Sequence, residues 1–359
     1  VFEIGLLSIT LTSILLFSGV PVAYALGGVA LLFTFVFMPI SNVELIAQTL
    51  YGELNNFTLL AIPLFILMGA AIGKTRAAVD LYESTHRWLY KLPGGLGVAN
   101  VAGCTVFAAM CGSSPATCAA IGGMGIPEMR KRGYSPSLAA GLIAAGGTLG
   151  ILIPPSITLI IYGIMVEQSI GRLFIAGIIP GIMLALFFAL WVVYASVREN
   201  RRAQASAIAA GNTLTQEPEH YTWRQRVETL PRLLPFALLI ALVMWAMYGG
   251  WATPSEVAGI GALGALVLVG VLYGVYRWRD MKDILAGAAR ESCMIMLIIA
   301  TAFLFTYVMS YLHITQSATE WMVGLGMSKW AYLFWVNVLL LVLGFFLPPV
   351  AIILMVTPV

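Results

Sequence analysis

Apolar residues fall in long stretches, at about 4–20, 22–39, 56–73, 96–127, 136–166, 170–197, 233–249, 251–276, 288–312 and 331–359, divided by short polar segments. A helix needs about 20 such residues to cross a bilayer core of ~30 Å, so the pattern predicts an all-α polytopic membrane protein. Two stretches are interrupted from within. Gly112-Ser113-Ser114-Pro115-Ala116-Thr117 breaks 96–127, and the run from Gly146 to Ser156, with Pro154 and Pro155, breaks 136–166. The arms either side of the first break are about 16 and 12 residues, roughly 24 and 18 Å as helix. Neither crosses the core alone, which predicts a re-entrant hairpin with the serines at its tip. At membrane depth a broken backbone is tolerated only where protein or a water-filled site surrounds it, because lipid offers its N–H and C=O groups no partner.

Charge sets the orientation. With the hairpin returning to its own side, Lys74, Arg76, Arg87, Lys91, Arg130, Lys131, Arg132, Arg198, Arg201 and Arg202 share one face, which the positive-inside rule makes cytoplasmic. Arg224, Arg226, Arg232, Arg277, Arg279 and Lys282 join them after an even number of crossings, and Val1 then starts outside. The polar stretch 198–232 divides the chain into halves that read as inverted repeats. Each has three spans, an amphipathic stretch (75–92 or 315–328) and a hairpin segment (96–127 or 331–359). Such repeats put the site at their interface, near the bilayer midplane. By the same symmetry a second broken span of roughly 70 further residues is expected beyond Val359.

Composition narrows the chemistry. The chain is 60% hydrophobic and 10% charged, against about 25% charged in soluble domains, and its net charge of +3 gives no case for nucleic acid. Cys104, Cys111, Cys118 and Cys293 form no CxxC pair and read as small buried hydrophobes. No GxxxxGK[ST], HExxH or GxSxG motif is present, which argues against an ATPase, a metalloprotease or a serine hydrolase. The predicted span centres hold almost no ionisable residue of the kind proton-driven carriers use as a relay. What remains is an all-oxygen donor set of carbonyls and hydroxyls, which suits a hard cation such as Na⁺.

The candidate Na⁺ donors are Ser113 and Ser114 at the hairpin tip with Gly147, Thr148, Gly150 and Pro154 at the broken span, whose carbonyls turn toward an ion if the helix unwinds there. Pro154 and Pro155 donate no backbone hydrogen bond and leave upstream carbonyls free. Ser156 is placed to cap the half-helix that follows. The positive ends of that half-helix and of the arm after Pro115 suit a substrate carboxylate, making Thr117, Pro155 and Ser156 candidate substrate contacts. The same small residues also let membrane helices pack closely. Ser135 and Pro136 read simply as the start of the next helix.

These residues resemble the large membrane (M) subunit of the tripartite ATP-independent periplasmic (TRAP) transporters. The motifs are Gly19-Val20-Pro21-Val22-Ala23, Ala61-Ile62-Pro63-Leu64-Phe65, Leu92-Pro93-Gly94-Gly95, the GSSPAT tip, Ile126-Pro127-Glu128-Met129 with Lys131-Arg132-Gly133-Tyr134, the 146–156 run, and Gly250-Trp251-Ala252-Thr253-Pro254-Ser255-Glu256. The resemblance implies Na⁺-driven uptake of an organic acid across the bacterial inner membrane. It further implies delivery by a periplasmic substrate-binding protein, a small membrane (Q) subunit as partner, and an elevator-type, ion-transporter-like architecture rather than an enzyme. Scaffold spans are then expected at 1–74 and 233–287, an amphipathic connecting helix at 75–92 and a cytoplasmic connector at 198–232. Transport-domain halves fall at 93–197 and 288–359. Pro348 stands where many relatives carry an Asp. A stand-alone Na⁺/carboxylate symporter of similar architecture and a non-transporting membrane scaffold are the alternative readings.

Overall fold

The computed structural model describes residues 2–39, 42–209, 221–324, 326–345, 347 and 349–357. Part of the 198–232 connector, Pro348 and the proline at 358 lie outside the described residues. No strand occurs among the described residues. The helices of the first half are α1 (Phe2–Phe17), α2 (Val22–Phe37), α3 (Asn42–Leu54), α4 (Ala61–Gly73), α5 (Ala77–Leu89), α6 (Gly95–Cys111), α7 (Ser114–Lys131), α8 (Pro136–Leu152), α9 (Ile157–Met165) and α10 (Ile170–Ala209). Those of the second are α11 (Trp223–Val227), α12 (Leu230–Tyr248), α13 (Pro254–Tyr273), α14 (Trp278–Tyr311), α15 (Ile314–Gly324), α16 (Lys329–Gly344) and α17 (Pro349–Val356). Three of them are long and apolar enough to cross a membrane, over Ile170–Arg198, Pro254–Tyr273 and Trp278–Tyr311, or up to five if each of two bent helix pairs counts as one span.

Local chemistry explains the boundaries. Ser135 accepts the Leu138 N–H at 3.4 Å with Pro136 in the first turn, as the sequence predicts for α8. Thr253 and Glu256 cap α13 reciprocally. The second hairpin arm is longer than its sequence suggests, because α7 continues through Pro127 to Lys131. Asn42–Leu54, too polar to count as an apolar stretch, is nonetheless helical.

The chain divides into two compact units. One comprises Val1–Leu60, Ile161–Gln168 and Arg290–Val359; the other comprises Ala61–Ile160 and Ser169–Ala289. In the first unit, α1 buries Ser8 and Thr12, whose hydroxyls turn back to the carbonyls of Gly5 and Ser8 at 2.7 Å and so bring no unmet polar group into an apolar setting. An added Cβ at Gly27 of α2 would lie 2.9 Å from the Thr301 methyl of α14. These are the close approaches that small residues permit.

The second unit is built around α6, which is buried on nearly all sides. Such a helix is apolar all round because every face meets protein. Gly103 faces Ile121 and Gly125 meets Asn100, so α6 and α7 run antiparallel as a hairpin. Gly122 faces Ile143 and Gly147 faces Cys118, which sets α8 antiparallel to α7. Gly146 lies against Cys104, leaving α8 alongside α6 in the same direction. Around this trio, α4 meets the hairpin at Gly69, where an added Cβ would sit 3.0 Å from Cys111. In turn α13 packs on α4 and α12, with Gly261 close to Met68 and Gly264 to Leu239.

Asn100 is the conspicuous polar residue of α6. It is 1% exposed, donates from Nδ2 to the Leu96 carbonyl at 2.9 Å, and presses Oδ1 onto Gly125 so closely that no Cβ fits there. Gly125→Ala is therefore expected to destabilise the hairpin by about 1–3 kcal/mol through overpacking. Adding Asn100→Ala should recover most of the loss, and thermal melts of the four proteins in one detergent measure that coupling.

Candidate functional site

The two breaks predicted from sequence lie against each other inside the second unit. Helix α6 ends at Gly112, which has φ +61° and donates to the Ala108 carbonyl at 2.8 Å. Its α-carbon faces the Pro155 carbonyl with no room for a side chain, and its own carbonyl accepts the Ile157 N–H at 3.3 Å. Ile157 opens α9, so the hairpin tip satisfies one of the orphan donors at that helix start.

Ser113 is extended, with φ −131°, and its carbonyl is the hub of the tip. It accepts the Thr117 N–H at 3.0 Å and the Thr117 hydroxyl at 2.9 Å, with the Cys111 thiol at 3.6 Å. On the opposite wall stand Gly147 and Gly150, one turn apart on α8. An added Cβ at Gly150 would lie 2.9 Å from both the Ser113 carbonyl carbon and the Ser114 nitrogen. One at Gly147 would fall on the Cys118 sulfur and lie 3.4 Å from the Ser114 carbonyl oxygen. Ser113, Ser114, Gly147 and Gly150 thus form one seam.

Within that seam the Ser114 hydroxyl is buried and has no hydrogen-bond partner. A buried hydroxyl left so costs about 1–3 kcal/mol. Gly150 lies four positions before Pro154, which has no N–H to close the usual helical bond to its carbonyl. The Ile151 carbonyl faces the same deficit at Pro155 but is answered by the Ser156 hydroxyl at 2.6 Å.

The other predicted residues are placed differently. Helix α8 stays intact through Leu152, so Gly147 and Thr148 lie inside it rather than in unwound backbone. Thr148 is exposed, and its hydroxyl donates within its own helix to Ala145 at 2.6 Å. Thr117 and Ser156 are fully buried with their hydroxyls committed, Thr117 to Ser113 and Ser156 to Ile151, while Ser156 also accepts the Leu159 N–H at 3.4 Å as the cap of α9. Pro154 and Pro155 are buried beneath the tip. Two contributors escaped the sequence reading: Cys118, which packs on Gly147, and Asn100, which braces the hairpin from inside. Asn100 left a signal, as the one amide in the apolar run 96–111. Among the described residues no group of three or more His, Cys, Asp or Glu could hold a metal ion. A cation in the seam would meet carbonyl and hydroxyl oxygen.

Long apolar helices surrounding paired helix breaks are the features of membrane transporters that bind cargo where helices are interrupted. The family model described as "Tripartite ATP-independent periplasmic transporter, DctM component" matches residues 9–359, and the chain belongs to that family. It is 35% identical to the C4-dicarboxylate TRAP transporter large permease protein DctM of Pseudomonas aeruginosa, over 89% of this chain and 71% of that protein. It is 33% identical to the protein of the same description from Rhodobacter capsulatus, over 96% and 78%. To the isethionate TRAP transporter permease protein DctMQ of Oleidesulfovibrio alaskensis it is 32% identical, over 95% and 52%.

The seam predicts two distinguishable glycine defects. Gly147→Ala collides with a side chain, so Cys118→Ala should restore most of the lost thermal stability. Gly112→Ala collides with backbone and carries about 1–2 kcal/mol of left-handed strain besides. No side-chain change at its neighbours should rescue it, and melting temperatures of the single and paired variants read out both cases.

Proposed function

We propose that this chain carries a small organic acid inward across a bacterial inner membrane, coupled to Na⁺. It takes the substrate from a periplasmic binding protein, works beside a small membrane subunit, and moves the hairpin-bearing part in an elevator cycle. Val1 faces the periplasm and 198–232 the cytoplasm in this reading. Membership of the tripartite family supports it, as do the names of relatives: a C4-dicarboxylate permease and an isethionate permease whose printed name joins M and Q.

The observation that carries the ion is the buried, unpartnered Ser114 hydroxyl at the tip, whose backbone packs on Gly150, four residues before a proline that has no N–H to give the Gly150 carbonyl. A hard cation stabilises such oxygens where no proton donor reaches them. Ser113, Ser114, Gly147, Gly150 and Pro154 surround the ion, whereas Thr148, exposed and bonded within α8, contributes no side-chain donor. The positive end of α9 beside Pro155 and Ser156, with Thr117 across the tip, faces the substrate carboxylate. Thr117 and Ser156 act there by holding the backbone, since their hydroxyls are already bonded.

Uptake by proteoliposomes containing the permease, its small subunit and its binding protein should require Na⁺ and survive collapse of a pH gradient. If transported Na⁺ exceeds substrate charge, an inside-negative potential speeds it, by up to about 2.3 kcal/mol per net charge per 100 mV. Ser114→Ala should raise the Na⁺ concentration for half-maximal uptake about fivefold, equivalent to ~1 kcal/mol. Thr148→Val, whose hydroxyl is spent inside α8, should stay within about twofold. Uptake driven by a proton gradient without Na⁺ would overturn the coupling, and an unchanged Na⁺ dependence in Ser114→Ala would overturn the site.

A further inference from the structure

A polar cavity of about 510 Å³ lies between the amphipathic helix α5, the far end of the hairpin arm α7, and Tyr221. The ion and substrate reading makes no use of it. Its polar lining is Tyr82, Glu83, His86, Arg87, Glu128, Lys131, Arg132 and Tyr221. The charges are unevenly satisfied. Arg132 grips Glu128 Oε1 through Nε and Nη2 at 3.2 and 3.1 Å, but Lys131 stands 3.6 Å from Glu128 and Arg87 3.8 Å from Glu83. Charge-assisted hydrogen bonds run at about 2.7–2.9 Å, so Lys131 and the Nη2 arm of Arg87 keep capacity for another anion. Tyr82 is nine-tenths buried, and its hydroxyl has no hydrogen-bond partner although Asn100 is near enough to act on it. Burial, and then the facing Glu128, hold that phenol protonated well above the usual range, which keeps it a donor.

The surroundings place the cavity at headgroup depth. Tyr221 sits edge-on to His86 at 5.9 Å and to Tyr90 at 5.3 Å. Next to them Trp88 meets Trp223 at 5.5 Å, with both indoles exposed. Tyrosine and tryptophan interleaved with arginine mark the membrane–water interface. The two carboxylates disfavour a free, multiply charged anion, whereas a phosphodiester beside an ammonium or hydroxyl group complements a lining of both signs.

We infer that this cavity binds the phosphate-bearing headgroup of a membrane lipid, its phosphate against Arg87, Lys131 and the Tyr82 hydroxyl. Basic pockets between helices on the cytoplasmic side are suited to such headgroups. A lipid seated there touches both α5 and the base of the hairpin, and so ties the connecting helix to the arm that ends in the ion seam.

Native mass spectrometry of the full chain, purified in detergent, tests this with phosphatidylethanolamine, phosphatidylglycerol, diacylglycerol and inorganic phosphate as separate probes. Both phospholipids should be retained over diacylglycerol, and the excess should fall about fivefold in Tyr82→Phe and in Lys131→Gln. Arg290→Gln, outside the cavity lining, should not change it. Tyr82→Phe keeps the ring, and an unaltered melting temperature confirms that it folds. Equal retention of diacylglycerol, the same excess in both cavity variants, or adducts with inorganic phosphate at the same occupancy would each overturn the inference.

Discussion

A helix interrupted within apolar surroundings leaves backbone groups that need protein partners, and this chain has two interruptions between apolar helices within the unit that holds the hairpin. Its solution is to let one answer the other. The carbonyl of Gly112, freed where α6 ends, receives the N–H of Ile157, freed where α9 begins. Everything near the seam follows from bringing those two points together. Gly112 must have no side chain because the Pro155 carbonyl occupies that space, and Gly150 must have none because the Ser113–Ser114 peptide does. Helix α8 must run antiparallel to α7 for Gly147 and Gly150 to present one face to the tip. The small residues are a geometric requirement first and a chemical opportunity second.

That order explains which parts of the architecture were legible in the sequence. The hairpin tip could be located to within a residue, because Gly112 and Pro115 mark a helix end and a helix start by separate mechanisms, the left-handed cap and the missing N–H. The caps Ser135 and Ser156 were equally readable, since each sits just ahead of the helix that it caps. Misread was the state of 146–152. Three glycines in seven positions resemble unwound backbone when only intrinsic propensity is weighed. In the bundle each meets a partner, Cys104, Cys118 or the tip peptide, and close packing holds the helix to Leu152. Sequence carries the missing Cβ but not the atom that fills its place. The continuation of α7 through Pro127 was hidden because a proline inside apolar sequence reads as a helix end.

The amphipathic segment was legible as an element and opaque as an environment. Its burial of Ala77, Ala78, Leu81 and Tyr82 follows the helical period. Nothing in that period shows that Thr229 would reach Ser84 at 3.1 Å, that Arg87 would reach the Gln225 carbonyl at 3.0 Å, or that Tyr273 would reach Asp80 at 2.8 Å. Those contacts span more than a hundred residues of chain and fasten α5 to the start of the second half. The connector also supplies Tyr221 to the lining of the cavity beside Tyr82, so a polar segment that reads as a spacer has a structural part to play.

The hydroxyls at the seam make the sharpest case for what only structure distinguishes. Ser113, Ser114, Thr117, Thr148 and Ser156 are interchangeable as oxygen donors in a sequence. Thr117 and Ser156 turn out to hold their own backbone: Thr117 adds its hydroxyl to a Ser113 carbonyl that already accepts its N–H, and Ser156 serves an Ile151 carbonyl that Pro155 cannot. Thr148 is turned out of the seam and bonds inside α8. Ser114 is left with its hydroxyl buried against glycine and unmatched by any protein donor or acceptor. A fold that uses two hydroxyls to satisfy backbone at the same spot has the means to satisfy this one, and leaves it open. That contrast, more than the presence of serine at a hairpin tip, is what gives the seam its chemical direction.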